Sequence, residues 1–292
     1  MRNKIVALGV GFTILLTANH SMAGVITLYN GASGVTPNSY NSPELNNSPA
    51  LNFGSPNGGT QSFSNGVTNL NTSAGDDNAI YGGYSNYNAN VTPSGTSPFF
   101  NVTPTTLRNS SFPSLDRNAG YNLTFTVKIN SQVNDGTNGL YRAGFSVIAL
   151  SSDKQGIEIG FRNSDIFSQA NSSFNSIGEQ VTGVSSLLSN LSTYSLNVAG
   201  NSYTLTSGST NLLTGALRDY TAASGFGTDV YRTSNFLFFG DDTTSARANI
   251  DLQSITLTTN TAAVPYEFSP TTGILAIVAG GAINHWLKKK KS

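Results

Sequence analysis

The 292-residue chain reads as an all-β protein, an antiparallel β-sandwich, and three observations lead there. From Tyr121 to Asn130 apolar and polar residues alternate without a break, the period of a strand with one wet face. Tyr194, Leu196 and Val198 alternate into Ala199-Gly200-Asn201, and Tyr203 and Leu205 alternate out, the pattern of a hairpin. The apolar runs are short and separated by turn residues, with no convincing helix. Two packed sheets bury such runs in a shared core about 10 Å thick.

Each element follows from its own pattern. Val25 to Tyr29, ended by Asn30-Gly31, is the expected first strand. Prolines at 37, 43, 49, 56, 93, 98 and 104 break the stretch from Ala32 to Asn118, where Thr60–Val67, Ile80–Tyr87 and Phe99–Val102 are candidate strands. Ala143 to Leu150 is apolar on both faces, as in a covered central strand. Ile157, Ile159 and Phe161 alternate next, which sends Glu158 and Arg162 to the opposite face. Asp165–Gln169, Leu212–Leu217 and Phe236–Gly240 are further strands, and Val181–Leu191 fits either a short helix or a loop. Ala248 to Leu257 closes the domain, and its apolar spacing changes from even to odd at Gln253-Ser254, which predicts a β-bulge.

Charge and composition bound the function. Between Gly24 and Thr261 nine basic residues stand against fourteen acidic ones, a net −5 that leaves no basic patch for nucleic acid. Sixteen Phe and twelve Tyr supply a core despite the abundance of Asn, Ser, Thr and Gly. Cysteine is absent, and both histidines, His20 and His285, lie near the ends. The middle therefore has neither thiolate nor imidazole chemistry, which excludes Ser-His-Asp and Cys-His catalysis and the usual transition-metal sites.

The two ends read as targeting segments. Arg2 and Lys4 precede the apolar run Ile5–Ala18, and Ser21-Met22-Ala23 places small residues where a signal peptidase reads, so residues 1–23 are an expected signal peptide cut after Ala23. At the other end, Val264-Pro265-Tyr266-Glu267-Phe268-Ser269-Pro270 leads into an uncharged stretch from Phe268 to Leu287. As a helix rising about 1.5 Å per residue, that stretch just crosses a hydrocarbon core of about 30 Å. Trp286 suits a membrane interface, and Lys288 to Lys291 favour the cytoplasmic side.

This tail resembles the PEP-CTERM class of bacterial sorting signals, in the cyanobacterial-type variant whose motif reads Pro-Phe-Glu-Phe-Ser-Pro; Tyr266 stands in place of the first Phe. The resemblance implies an exosortase-type membrane enzyme as a partner, with the tail held in the inner membrane before the protein reaches the cell surface. A plain tail anchor or a buried apolar helix is the alternative. The middle is also similar to concanavalin A-like and laminin-G-like jelly rolls. The residues that carry this are Gly120 to Phe125, Gly156 to Phe161, Tyr194 to Leu205, Gly215 to Tyr220 and Asn235 to Thr243. The expected organisation is thus residues 1–23, signal peptide; 24–118, a long-looped part of the sandwich; 119–261, its main body; and 262–292, the sorting segment.

The middle offers three candidate binding sites. Tyr81, Tyr84 and Tyr87 form either ordinary strand packing or an aromatic platform for a sugar. Arg218 and Asp219 either hold an acidic sugar or pair with each other at the surface. Asp241 and Asp242, expected at the sandwich rim, either solvate a turn or bind calcium with loop carbonyls and water; no other cofactor is expected. Glu158 has no carboxylate beside it on its own strand, where Gly156, Gly160 and Arg162 are its neighbours. It reads as an exposed or Arg-paired strand residue rather than half of a glycosidase pair, and no catalytic residue is assigned. The expectation is an exported, non-enzymatic surface or matrix protein binding polysaccharide or another surface protein. The alternatives are a polysaccharide-active enzyme using carboxylates only and an inert spacer.

Overall fold

A computed structural model describes residues 24–55, 58–73, 82–88, 106–134, 140–173, 175–223, 229–243 and 245–260. The N-terminal part supplies β1 (Gly24–Asn30), β2 (Asn41–Ser42), β3 (Ser48–Pro49), β4 (Asn52–Gly54), β5 (Thr60–Ser64), β6 (Val67–Asn71) and β7 (Gly82–Ser85). The strands β8 (Tyr121–Asn134), β9 (Phe145–Leu150), β10 (Gln155–Phe161), β11 (Asp165–Gln169) and β12 (Ile177–Thr182) follow. After the four-residue helix α1 (Ser185–Leu188) come β13 (Ser192–Ala199), β14 (Ser202–Ser207), β15 (Thr210–Ala216) and β16 (Arg218–Asp219). A second four-residue helix, α2 (Asp229–Arg232), precedes β17 (Phe236–Asp241) and β18 (Ala246–Thr259). Among the described residues no helix is long and apolar enough to cross a membrane. The expected signal peptide with Ala23, the expected sorting motif Val264–Pro270 and the uncharged stretch after it fall outside the described residues, as does the candidate strand Phe99–Val102.

The strands form two large antiparallel sheets. In the first the order is β15-β14-β13-β8-β18-β6-β5, with β1 also pairing β18. In the second it is β12-β11-β10-β9-β17-β7-β4, with β16 on β10. A chain in which the first and last strands pair is held shut by its ends: Ile26 lies opposite Leu257. The expected bulge is present, because the pairing of β18 with β8 shifts between Leu252 and Ser254. One extra residue there returns Ile255 and Leu257 to the buried face.

The main core lies between the sheets and is aromatic at its centre. Phe125 stacks on Tyr194 with centroids 5.5 Å apart and meets Phe161 and Phe239 edge-on at 5.8 Å. Offset and edge-to-face pairs of this kind add about 0.5–1.5 kcal/mol each beyond area burial. The hairpin of β13 and β14 turns as expected, with Gly200 at φ +59°, a left-handed conformation that glycine adopts at no steric cost.

Two strands differ from the expected pattern. Thr60–Val67 is not one strand: Asn65 and Gly66, both at positive φ, fold it into the hairpin of β5 and β6. The turn chemistry of Asn-Gly outweighs the continuing β propensity. The segment 177–182 forms β12, an edge strand on β11 whose residues alternate between half-buried and exposed. Half burial at an edge needs few apolar residues, so the segment carries little hydrophobic signal.

Candidate functional site

The central strands of the second sheet are buried on both faces, and the unusual chemistry lies on the face away from the main core. β9, β10 and β17 run side by side there, with Phe238 opposite Ile148 and Ile148 opposite Glu158. Ile148, Leu150, Phe236 and Phe238 meet Tyr220 and Tyr231 in a second, smaller core. The two tyrosine rings stack almost parallel, 4.4 Å apart. Glycines make the space. Phe167 lies across Gly160, where an added Cβ would come within 2.6 Å of the ring.

Glu158 sits inside this second core and is only 2% exposed. Its Oε1 accepts a hydrogen bond from Ser146 Oγ at 2.9 Å, and its Oε2 accepts one from the hydroxyl of Tyr231. Burial raises its pKa, while the bonds from Tyr231 and Ser146 and the Arg142 guanidinium pull the other way. The expectation of an exposed or Arg-paired strand residue is corrected in its main point. Glu158 is buried, and its direct partners are hydroxyls, with Arg142 acting through its field. The strand alternation gave the correct face but not the cover that Tyr220 and Tyr231 bring from far along the chain.

Asp242 faces the same network. Burial raises its pKa first, the charge of Glu158 adds to that, and Arg142 opposes both. Its Oδ2 and the hydroxyl of Tyr220 are buried and have no hydrogen-bond partner among the described residues. Asp241, its neighbour, looks elsewhere: Thr72 Oγ1 donates to its Oδ2 at 2.7 Å, and the Thr243 amide donates to its Oδ1 at 3.1 Å. Neither residue solvates a rim turn, since Asp241 is fully buried and Asp242 nearly so. The two carboxylates engage different neighbours. Among the described residues no group of three or more His, Cys, Asp or Glu stands close enough to hold a metal ion.

The remaining candidates are also rearranged. Tyr84 is buried in the main core, donating to Gln61 Oε1 at 2.9 Å beside Phe53. Tyr87 packs near Phe236 at the second core and donates to the Ser234 carbonyl. These two tyrosines therefore share no platform, and Tyr81 lies outside the described residues. Arg218 does not pair with Asp219. It donates to Glu179 Oε2 at 2.6 Å, and Asp219 accepts from the amide and hydroxyl of Thr221. Partial burial pushes the Glu179 carboxyl up, but bonds from Ser168, Arg218 and Tyr203 outweigh it and bring the pKa down to about 2. Sequence reasoning missed Ser146, Tyr231 and Arg142. The signal for a buried Glu158 was present in its same-face neighbours Gly156 and Gly160, since glycines beside one side chain leave room for something to pack over it.

The fold and site define an antiparallel β-sandwich with a covered polar cluster on one sheet. No family model matches the chain, and no curated protein sequence matches it. Solved structures are similar at low identity. A carbohydrate esterase from the Shiga toxin-encoding bacteriophage phi24B is 13% identical over 82% of this chain and all of its own, with a TM-score of 0.46. A Bacillus subtilis protein of unknown function with a galectin-like fold is 8% identical over the same shares, at 0.43. The binding domain of botulinum neurotoxin DC in complex with SialylT is 11% identical over 73% of this chain, at 0.39. This chain spans 44% of that domain's length.

Proposed function

We propose that this chain is an exported, exosortase-sorted cell-surface or extracellular-matrix protein. In this reading its sandwich, a concanavalin A-like jelly roll, binds extracellular polysaccharide or another surface protein and cleaves neither. The observation that carries the non-catalytic part is the closure around Glu158, whose two oxygens are taken by Ser146 and Tyr231 inside a packed core. A glycosidase acid must reach the scissile oxygen, and its partner carboxylate must face the same sugar. The two ends of the chain support export: signal peptidase acts after Ala23, and the sorting enzyme acts at Val264–Pro270 while the apolar span holds the chain in the inner membrane. The net −5 of the middle argues against nucleic acid as the partner.

A glycan array on the full-length protein, with and without calcium, tests this reading when reducing-end release is measured on the same polysaccharides. Binding without release, and without need of calcium, is the expected result. A second reading, an enzyme using carboxylates only, has one observation in its favour: two buried carboxyls lie in the same network, and Asp242 is raised in pKa first by burial and then by the charge of Glu158. Reducing ends released by the wild type and lost in Glu158→Gln would establish it. Binding to neither glycans nor surface proteins would leave an inert spacer.

A further inference from the structure

We propose that the outer face of the first sheet holds a neutral, hydroxyl-rich polysaccharide chain laid across the strands. This rests on the glycan-binding reading above and names its surface and ligand class. The register sets Thr258, Asn122, Asn197, Thr204 and Thr214 side by side across five strands. One pleat away, Thr27, Thr256, Thr124, Ser195, Thr206 and Asn211 form a second row across six. Both rows face away from the core, because the residues that alternate with them, such as Leu123, Leu196, Leu205 and Leu257, are buried between the sheets.

Neither row contains a charged residue. The first charged pair on this face, Lys128 opposite Asp251, comes after a third row in which Thr126 lies between Thr193 and Ser254. The hydroxyls of Thr27, Thr204, Thr206, Thr256 and Thr258 form no hydrogen bond with the described residues, so they are left to solvent or a ligand. Strands about 4.8 Å apart, with same-face residues about 6.8 Å apart along each, turn these rows into a shallow grid of donors and acceptors.

The chemistry of the grid selects its occupant. A polyanion needs cations, which the rows lack, and an apolar partner needs more than the exposed Val25 opposite Thr258. A neutral polyol matches hydroxyl and amide groups without leaving a charge unpaired. Each hydrogen bond made here replaces one to water, so a single sugar gains little and affinity grows as a longer chain engages more rows.

Co-sedimentation of the full-length protein with cellulose and insoluble mannan, and affinity electrophoresis in polygalacturonate, test the proposal. The variant Thr206→Glu with Thr256→Glu places carboxylates in the second row, Thr206→Val with Thr256→Val removes only hydroxyls, and Ser152→Glu carries a carboxylate on an exposed turn elsewhere. The wild type and Ser152→Glu should bind the neutral polymers alike, and the double Glu variant about tenfold or more weakly, as expected for unpaired charge set against a neutral ligand. The Val variant, which keeps shape and β propensity, should also weaken binding and guards against a folding defect from added charge. Retained binding in both double variants would overturn the assignment of this face while leaving the glycan reading intact. Binding to polygalacturonate alone would overturn the ligand class. Absence of binding to every polymer and to the glycan array would overturn both readings. Self-association lost in the double Glu variant, with polymer binding unchanged, would make the face a contact between copies and overturn the proposal.

Discussion

The hydroxyl of Tyr231 donates to the carboxylate of Glu158, and so ties the four-residue helix α2 to the middle of β10. The bond matters because both groups are buried. A hydrogen bond in water exchanges for another at little net gain, whereas a carboxylate left short of a donor inside a core bears the desolvation cost alone. Tyr231 also stacks on Tyr220, so this one residue joins the cover of the second core to the sheet beneath it.

Replacement of Tyr231 by Phe keeps the stacked ring and removes only the donor. Urea denaturation should show a loss of about 1–3 kcal/mol, the cost of leaving a buried acceptor unsatisfied. In a Glu158→Gln background, where the acceptor is uncharged, the same change should cost less. Equal losses in both backgrounds would mean that the ring's packing, not its hydroxyl, supports the helix.

The stability of the domain should fall as pH rises from acid toward neutrality. Burial holds the carboxyls of Glu158 and Asp242 above their ordinary values, with repulsion from Glu158 adding at Asp242. The folded state therefore keeps protons that the unfolded chain releases near pH 4. Their contribution is complete below about pH 4 and is lost as pH rises through the folded values. The variant Glu158→Gln with Asp242→Asn should shrink this limb of a plot of urea midpoint against pH, and the part that remains belongs to Asp241, whose carboxyl burial also raises.

Glu179 produces the opposite limb. Its folded pKa is lowered to about 2, so its contribution is complete above its ordinary value and is lost as pH falls toward 2. The substitution Glu179→Gln should remove this acid limb and leave the limb at higher pH unchanged. Acid denaturation followed by circular dichroism separates the two.

The change Gly160→Ala should destabilise the domain by about 1–3 kcal/mol, the usual cost of overpacking. The new Cβ would stand 2.6 Å from the Phe167 ring and 3.0 Å from the Ala143 Cβ. Phe167→Leu in the same chain should recover part of the loss, since a smaller side chain vacates that space. A thermal midpoint unaltered by Gly160→Ala would mean that the ring moves aside freely.

On the sorting reading proposed above, removal of residues 264–292 should release the domain as a soluble species, because that segment carries the resemblance to a sorting motif, the uncharged stretch and the lysines. Replacing Lys288 to Lys291 should disturb the orientation of the tail more than its membrane association. Identical fractionation of full-length and shortened chains would remove the tail from the account.

The sequence by itself determined the strands whose signal is local. The alternation from Tyr121, the Gly200 hairpin, the doubly apolar β9 and the bulge near Gln253 all appear where the pattern places them, because side-chain period and turn geometry are properties of neighbouring residues. Only the tertiary structure decided the site. Whether Glu158 is wet or dry depends on Tyr231, and Asp241 accepts from Thr72, which lies just past the end of β6 in the other sheet. Arg218 passed over its sequence neighbour Asp219 for Glu179, where Ser168 and Tyr203 already point their hydroxyls. Contacts between residues far apart in sequence form where the packing of two sheets brings them together, and a period of two specifies a face without saying what will cover it.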